Sequence, residues 1–120
     1  ALTMLQDRPL GLIQPDVTRS GGITETWRIA ELAATFSTAY APHVGWSGAI
    51  CVAASLQLAA AAESFRTFEC MVYENPLRDA FTQPLVGEGS QLVDGKLAIP
   101  QGPGLGIEID REALKRFRIA

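Results

Sequence analysis

The sequence predicts a parallel α/β fold, on the evidence of three short apolar runs, the helical patterns between them and a polar residue at the end of each run. The polar residues are Asp16, His43 and Glu69, which lie 27 and 26 residues apart, and His43 is the only histidine. That spacing is about the length of one strand-loop-helix-loop unit. Because (β/α) barrels carry their functional side chains at the ends of successive strands, these three are the candidate site residues.

The first unit begins with an apolar run over residues 10–14, which predicts a buried parallel strand. A loop over residues 16–22 follows, and its Gly21-Gly22 pair can adopt backbone angles that are closed to other residues. An apolar stripe at helical spacing then predicts a helix over residues 23–36. Glu25 lies near the start of this helix, where a negative charge complements the helix dipole.

The second unit repeats this order. Residues 38–41 are predicted to form a strand that ends at Pro42, because proline has no backbone donor. The following helix begins at residues 47–48 and carries seven alanines before residue 63, so it can pack closely on a sheet. A third strand is expected over residues 65–71.

The remaining sequence has a different periodicity. We expect a loop to begin at Asn75, a hairpin around Asp94-Gly95, and a turn-rich connector over residues 102–106. Asp110 is expected to cap a short last helix that runs through Phe117.

Composition excludes several classes of protein. Hydrophobic residues make up 48% of the chain and charged residues 19%, which is typical of a globular domain. The net charge of −3, without a basic cluster, predicts no nucleic acid partner. The apolar stretch over residues 49–62 is too short for a membrane span, and no signal peptide is recognised. Cys51 and Cys70 lack metal-site spacing, so free thiols in a cytoplasmic protein are expected.

Several ordered motifs resemble a known family. They are Gln-Pro-Asp at residues 14–16, Gly-Gly-Ile-Thr at 21–24, Ala-Pro-His at 41–43, Phe-Glu at 68–69 and the tail Ile-Pro-Gln-Gly-Pro-Gly-Leu-Gly-Ile-Glu-Ile at 99–109. This set resembles the C-terminal third of the mandelate racemase and muconate-lactonizing branch of the enolase superfamily. Within that branch it is most similar to galactarolactone cycloisomerases and acid-sugar dehydratases.

The resemblance implies a fold and a division of the chain. Residues 1–72 would be a partial barrel segment, comprising strands six to eight and their helices from a (β/α)7β TIM-like barrel. Residues 73–120 would be a C-terminal wrap-around segment with the hairpin, the connector and the short helix.

The resemblance also implies roles for the three candidates. His43 would be the general base or acid at the carbon next to a substrate carboxylate. Asp16 would hold the second imidazole nitrogen, and Glu69 would hydrogen-bond the substrate carboxylate or the enediolate. The residue chemistry agrees, because histidine both accepts and donates protons near neutral pH and a carboxylate stabilises an imidazolium.

The implied function is that of a Mg²⁺-dependent enzyme that abstracts a proton next to the carboxylate of an acid sugar or sugar lactone. The outcome would be cycloisomerisation, dehydration or racemisation. No residues match the metal ligands or the lysine motif of the family, and Lys96 and Lys115, the only lysines, lie elsewhere. Without Mg²⁺ little would stabilise an enediolate. The 120 residues alone are therefore expected to be inactive, as part of a longer enzyme.

Two other interpretations stay open. The chain could be a non-catalytic remnant or assembly module that forms a homo-oligomer, or pairs with a complementary chain, through open barrel edges. It could also be a piece of a larger protein, because residues 1–5 resemble a helix without a beginning.

Plainer interpretations of single residues also stay open. Asp16 could be a turn residue and Glu69 a solvated charge, and a lone histidine is ordinarily structural. Trp46 is interpreted as a packing residue rather than part of a pocket mouth, and Arg19 and Arg78 as solvated surface residues rather than ligands of a substrate carboxylate.

Overall fold

The computed structural model describes residues 1–7, 10–84, 86 and 92–119. The chain divides into two compact units, one formed by Ala1–His43 with Ala54–Glu69 and the other by Val44–Ala53 with Cys70–Ala120. The division predicted after residue 72 stays a prediction. In chain order the elements are α1 (Leu2–Asp7), β1 (Leu12–Ile13), α2 (Ile23–Thr35), β2 (Ala39–Tyr40), α3 (Ala49–Ala61), α4 (Pro76–Phe81), β3 (Thr82–Gln83), β4 (Glu108–Ile109) and α5 (Arg111–Arg116).

The first unit contains a short parallel sheet. β1 pairs with β2 in parallel, with Ile13 opposite Tyr40. Tyr40 also forms a parallel bridge with Phe65, the first residue of the predicted third strand, through hydrogen bonds of 2.8 Å to the Ser64 carbonyl and 2.9 Å from the Arg66 amide. Parallel segments joined by helices confirm the α/β class. The strands are shorter than the sequence predicted.

Helix α2 agrees closely with its sequence prediction, since it covers Ile23–Thr35 and Phe36 is its C-cap. Gly22 is its N-cap, with a φ of 92° that favours glycine. Ala30 and Ala33 lie on its buried face. The Ser64 hydroxyl donates a hydrogen bond of 3.0 Å to the Ala30 carbonyl, which ties the helix to the segment before Phe65.

Helix α3, predicted to begin at residues 47–48, begins at Ala49 and is buried along most of its length. Its side chains are mostly alanine, valine, serine or leucine, so the helix can lie close to its neighbours. The residues of α3 that are less than a tenth exposed are Ala49, Cys51, Val52, Ala53, Ala54, Ser55, Leu56, Leu58 and Ala59.

In the second unit, α4 corrects the prediction of a loop at Asn75. The Asn75 side chain accepts a hydrogen bond of 3.1 Å from the Arg78 amide, and Pro76 is the first residue of the helix. Asparagine at the cap followed by proline is a helix start signal, so the sequence carried this helix in a pattern that also begins turns.

The rest of the second unit brings the chain back to α4. β3 and β4 pair antiparallel, and Asp110 caps α5 as predicted, accepting hydrogen bonds of 2.9 Å from the Glu112 and Ala113 amides. Of the predicted hairpin, the structure shows an antiparallel bridge between Val93 and Lys96, on either side of the turn at Asp94-Gly95. The first residue of the predicted hairpin, Gln91, lies outside the described residues. Among the helices described, none is long and apolar enough to cross a bilayer.

Candidate active site

The structure brings Asp16 and His43 together at the carboxyl ends of β1 and β2. Ile13 and Tyr40 are partners in the sheet, and each candidate lies three residues beyond one of them. The His43 amide donates a 3.1 Å hydrogen bond to the Pro15 carbonyl, which continues the parallel alignment beyond the strands. The side chains then meet, with His43 Nδ1 lying 3.2 Å from Asp16 Oδ2.

The Asp16 carboxylate is held from two sides. Its side chain is only 7% exposed. Oδ1 accepts hydrogen bonds from the Thr18 amide at 2.8 Å and the Thr18 hydroxyl at 2.6 Å. Burial by itself raises the pKa of a carboxyl group. Here the hydrogen bonds from Thr18 and the contact with His43 outweigh burial, so the pKa of Asp16 is lowered.

The contact with Asp16 determines which tautomer the neutral His43 imidazole adopts. An ionised carboxylate oxygen accepts hydrogen bonds and donates none. The neutral imidazole therefore places its proton on Nδ1, facing Asp16, and leaves a lone pair on Nε2. A ring oriented in this way can accept a proton at Nε2 and later return it.

Glu69 lies in the same unit, four residues beyond Phe65. Phe65 is bridged to Tyr40, so Glu69 follows the third parallel segment much as His43 follows the second. Its side chain is half-buried. The participation of Glu69 in the site stays a prediction.

The described residues do not fit a magnesium site. Within them, no group of three or more His, Cys, Asp or Glu side chains could hold a metal ion. Mg²⁺ needs a near-octahedral set of oxygen ligands, commonly including one or two carboxylates. Of the two candidate carboxylates, Asp16 and Glu69, the buried one is Asp16, and it is already hydrogen-bonded to Thr18 and in contact with His43.

Three residues have roles that sequence reasoning missed or misjudged. Thr18 orients Asp16, and an Asp-x-Thr sequence after a strand is a signal for such a local hydrogen bond. Arg78 is only 3% exposed, so its interpretation as a solvated residue is wrong. Trp46 is 74% exposed, so its interpretation as a packing residue is wrong as well.

Comparison with known proteins shows the family to which the chain belongs. Residues 1–113 match the family described as enolase C-terminal domain-like. The D-galactarolactone cycloisomerase of Agrobacterium fabrum is 37% identical over 112 residues, which are 90% of this chain and 29% of that protein. The D-galactonate dehydratase of Xanthomonas euvesicatoria pv. vesicatoria is 34% identical over 109 residues, or 89% of this chain and 28% of that protein.

Comparison with a solved structure supports the same family assignment. The crystal structure of a mandelate racemase/muconate lactonizing enzyme from Sulfitobacter sp superposes with a TM-score of 0.79 at 32% identity, covering 96% of this chain and 27% of that one. The chain thus spans less than a third of the length of these relatives. It belongs to the mandelate racemase and muconate-lactonizing branch of the enolase superfamily and corresponds to the C-terminal part of those proteins.

Proposed function

We propose that this chain supplies the histidine base of an acid-sugar enzyme that removes the proton next to a substrate carboxylate. The observation that carries this proposal is the contact of 3.2 Å between His43 Nδ1 and Asp16 Oδ2 at the ends of two adjacent parallel strands. The relatives named above are a sugar-lactone cycloisomerase and a sugar-acid dehydratase. A cycloisomerase or dehydratase activity is therefore favoured over racemisation.

In this mechanism His43 Nε2 takes the α-proton, and the electron pair of the broken C–H bond moves toward the carboxylate to form an enediolate. Asp16 keeps the Nδ1 proton in place and stabilises the imidazolium as it forms. The imidazolium then returns the proton to carbon or to a departing oxygen. Glu69 is proposed to hydrogen-bond the substrate carboxylate or enediolate, which requires that Glu69 itself carries a proton, because a carboxylate only accepts.

Enolase-superfamily sites generally use Mg²⁺ to stabilise the enediolate. Since the described residues do not fit a metal site, we propose that the metal ligands and the lysine motif lie outside them, in a longer polypeptide or a complementary chain. The 120-residue chain alone is then inactive. Purified chain incubated with D-galactonate and Mg²⁺ should give no product, and measurable turnover would disprove this part of the proposal.

A chimera tests the base directly. The chain replaces the aligned segment of the Agrobacterium cycloisomerase, and exchange of the substrate α-proton is followed in D₂O. Loss of a general base typically costs about 10²–10⁴ in rate, so His43→Asn should reduce exchange by that factor. Arg28→Gln is the matched control and should leave exchange unchanged, because the Arg28 side chain is 66% exposed and pairs with Glu25 on helix α2. Equal exchange in the His43→Asn chimera would refute the assignment.

A second candidate function, assembly without catalysis, is favoured by the exposed sheet. In the described residues, β1 is hydrogen-bonded to β2 on one side only, and the exposed edge of a sheet tends to pair with another chain. We propose that the chain associates with a second copy or with a complementary chain through this edge. Light scattering should find a species larger than the 12.9 kDa monomer, and a stable monomer at high concentration would exclude self-association.

A further inference from the structure

Two exposed aromatic rings stack in the second unit. Trp46 is 74% exposed and Tyr73 is 65% exposed. Their ring centroids lie 6.0 Å apart and their planes differ by 3°, which is an offset-stacked arrangement. Because both rings remain open to solvent, the pair contributes little to the core. It is an aromatic platform that is formed before any ligand binds.

The backbone at Trp46 is unusual for a residue of this size. Its φ is +59°, in the left-handed region where bulky residues are rare. The Ser47 amide donates a 3.0 Å hydrogen bond to the Val44 carbonyl, so Trp46 is the third residue of a closed turn. A positive φ at this position favours glycine. Tryptophan therefore occupies the position for a reason other than turn formation, and strained residues of this kind cluster at binding sites.

Tyr73 is carried by an anchored segment. The buried Arg78 guanidinium donates a 3.3 Å hydrogen bond to the Tyr73 carbonyl and a 3.0 Å hydrogen bond to Asp79 Oδ1. The Arg78 amide is itself held by the Asn75 side chain at the start of α4. Arg78 is thus a positioning residue, and the Tyr73 ring is presented from backbone tied to a helix.

The chemistry of the platform selects a class of ligand. An aromatic face carries partial negative charge, and one face of a sugar ring presents weakly positive C–H groups that pack on it. Along the chain, Trp46 comes three residues after His43 and Tyr73 comes four residues after Glu69. We propose that the Trp46–Tyr73 platform binds the C–H face of a sugar lactone. This inference rests on the proposed function for its ligand class.

The test uses D-galactarolactone, which carries both a lactone ring and a free carboxylate, and the full 120-residue chain, with saturation-transfer NMR from the aromatic protons to the lactone ring protons. We expect transfer to one face of the ring. Trp46→Leu and Tyr73→Leu should each weaken binding by about tenfold or more, whereas Trp46→Phe and Tyr73→Phe should retain it. Succinate, a dicarboxylate without a ring, should show no transfer. Both positions are exposed, so the variants should fold, and circular dichroism checks this.

Absence of lactone binding, or equal binding to the leucine variants, would overturn the platform. The imidazole signals of the single histidine give an independent readout. If the lactone shifts the His43 signals equally in the wild type and in Trp46→Leu, the platform is wrong and the proposed function stands. If binding depends on both rings but the His43 signals never respond, the platform stands and the proposed function is weakened.

Discussion

Replacing Asp16 with asparagine is expected to reverse the tautomer of His43. Oδ1 of Asp16 already accepts two hydrogen bonds from Thr18, at 2.8 and 2.6 Å. In the Asp16→Asn variant the amide oxygen should stay with these donors, which turns the amide NH₂ toward His43 Nδ1. An NH₂ group only donates, so Nδ1 must then accept, and the imidazole proton moves to Nε2, the nitrogen proposed to act as the base.

The size of the change follows from the contacts. The hydrogen bond from His43 Nδ1 to Asp16 Oδ2 is 3.2 Å long, which is at the long end of the usual N–H···O distances. We therefore take its free energy from the low end of the range for hydrogen bonds to charged groups, about 1.5 kcal/mol. The neutral hydrogen bond in the variant favours the opposite tautomer by about 1 kcal/mol. Together these change the tautomer ratio by on the order of 50–100-fold.

The assay is imidazole ¹⁵N NMR under alkaline conditions that leave the ring neutral, and a single histidine makes the assignment unambiguous. In the wild type Nδ1 should show the ¹⁵N chemical shift of a protonated nitrogen and Nε2 that of an unprotonated one, and in Asp16→Asn the two assignments should be reversed. Asp94→Asn, in an exposed turn, is the control that removes a carboxylate elsewhere. An unchanged tautomer ratio in Asp16→Asn would refute the argument that Thr18 orients this side chain.

Three further predictions concern stability, measured as the free energy of unfolding in urea. Gly106→Ala places a Cβ 2.7 Å from the Pro100 carbonyl at a φ of +71°, whereas the Cβ of Gly104→Ala, at a φ of +64°, meets nothing within 4 Å. Both variants should lose about 1–2 kcal/mol of stability because alanine disfavours the left-handed backbone, and Gly106→Ala should lose about 1–3 kcal/mol more because of the steric overlap. Equal losses in the two variants would contradict the steric argument. Asp110→Ala removes the cap that accepts two hydrogen bonds of 2.9 Å and should cost about 1 kcal/mol, with Asp110→Asn close to the wild type; no loss in the alanine variant would mean that the cap is not needed. The lowered pKa of Asp16 means that between the folded value and the ordinary value of about 3.9 the unfolded chain binds more protons. The advantage of the wild type over Asp16→Asn should therefore be full above about pH 4 and shrink as the pH falls through the folded pKa, and an advantage that persists unchanged in stronger acid would argue against this linkage.

Local and periodic signals predicted much of the fold. The apolar stripe of α2 predicted its start at Ile23 and its end within one residue, and the Asp110 cap was predicted from its residue type. The spacing predicted that Asp16 and His43 follow successive parallel strands, whereas the contact between the two side chains was implied by the family resemblance. The length of each strand was not predictable in this way, because it depends on pairing with distant residues.

Other features were missed for identifiable reasons. Asparagine before proline begins both turns and helices, so the sequence pattern did not separate α4 from a loop. The burial of Arg78 depends on its contacts with Tyr73 and Asp79, which no periodicity encodes. The exposure of Trp46 was missed because large aromatic residues are usually buried for most of their surface, and the positive φ of this residue is rare for a bulky side chain.

The two partners of the dyad differ in their access to water. The Asp16 side chain is 7% exposed, whereas that of His43 is 41% exposed. Because Nδ1 faces the buried Asp16, we expect the exposed part of the imidazole to be its other edge, where a proton taken up by Nε2 meets solvent. Unless a substrate or another segment covers that edge, an abstracted hydrogen is replaced from water before it returns to carbon. The retention of a substrate's own hydrogen through the reaction is thus a measure of how well the assembled enzyme shields His43.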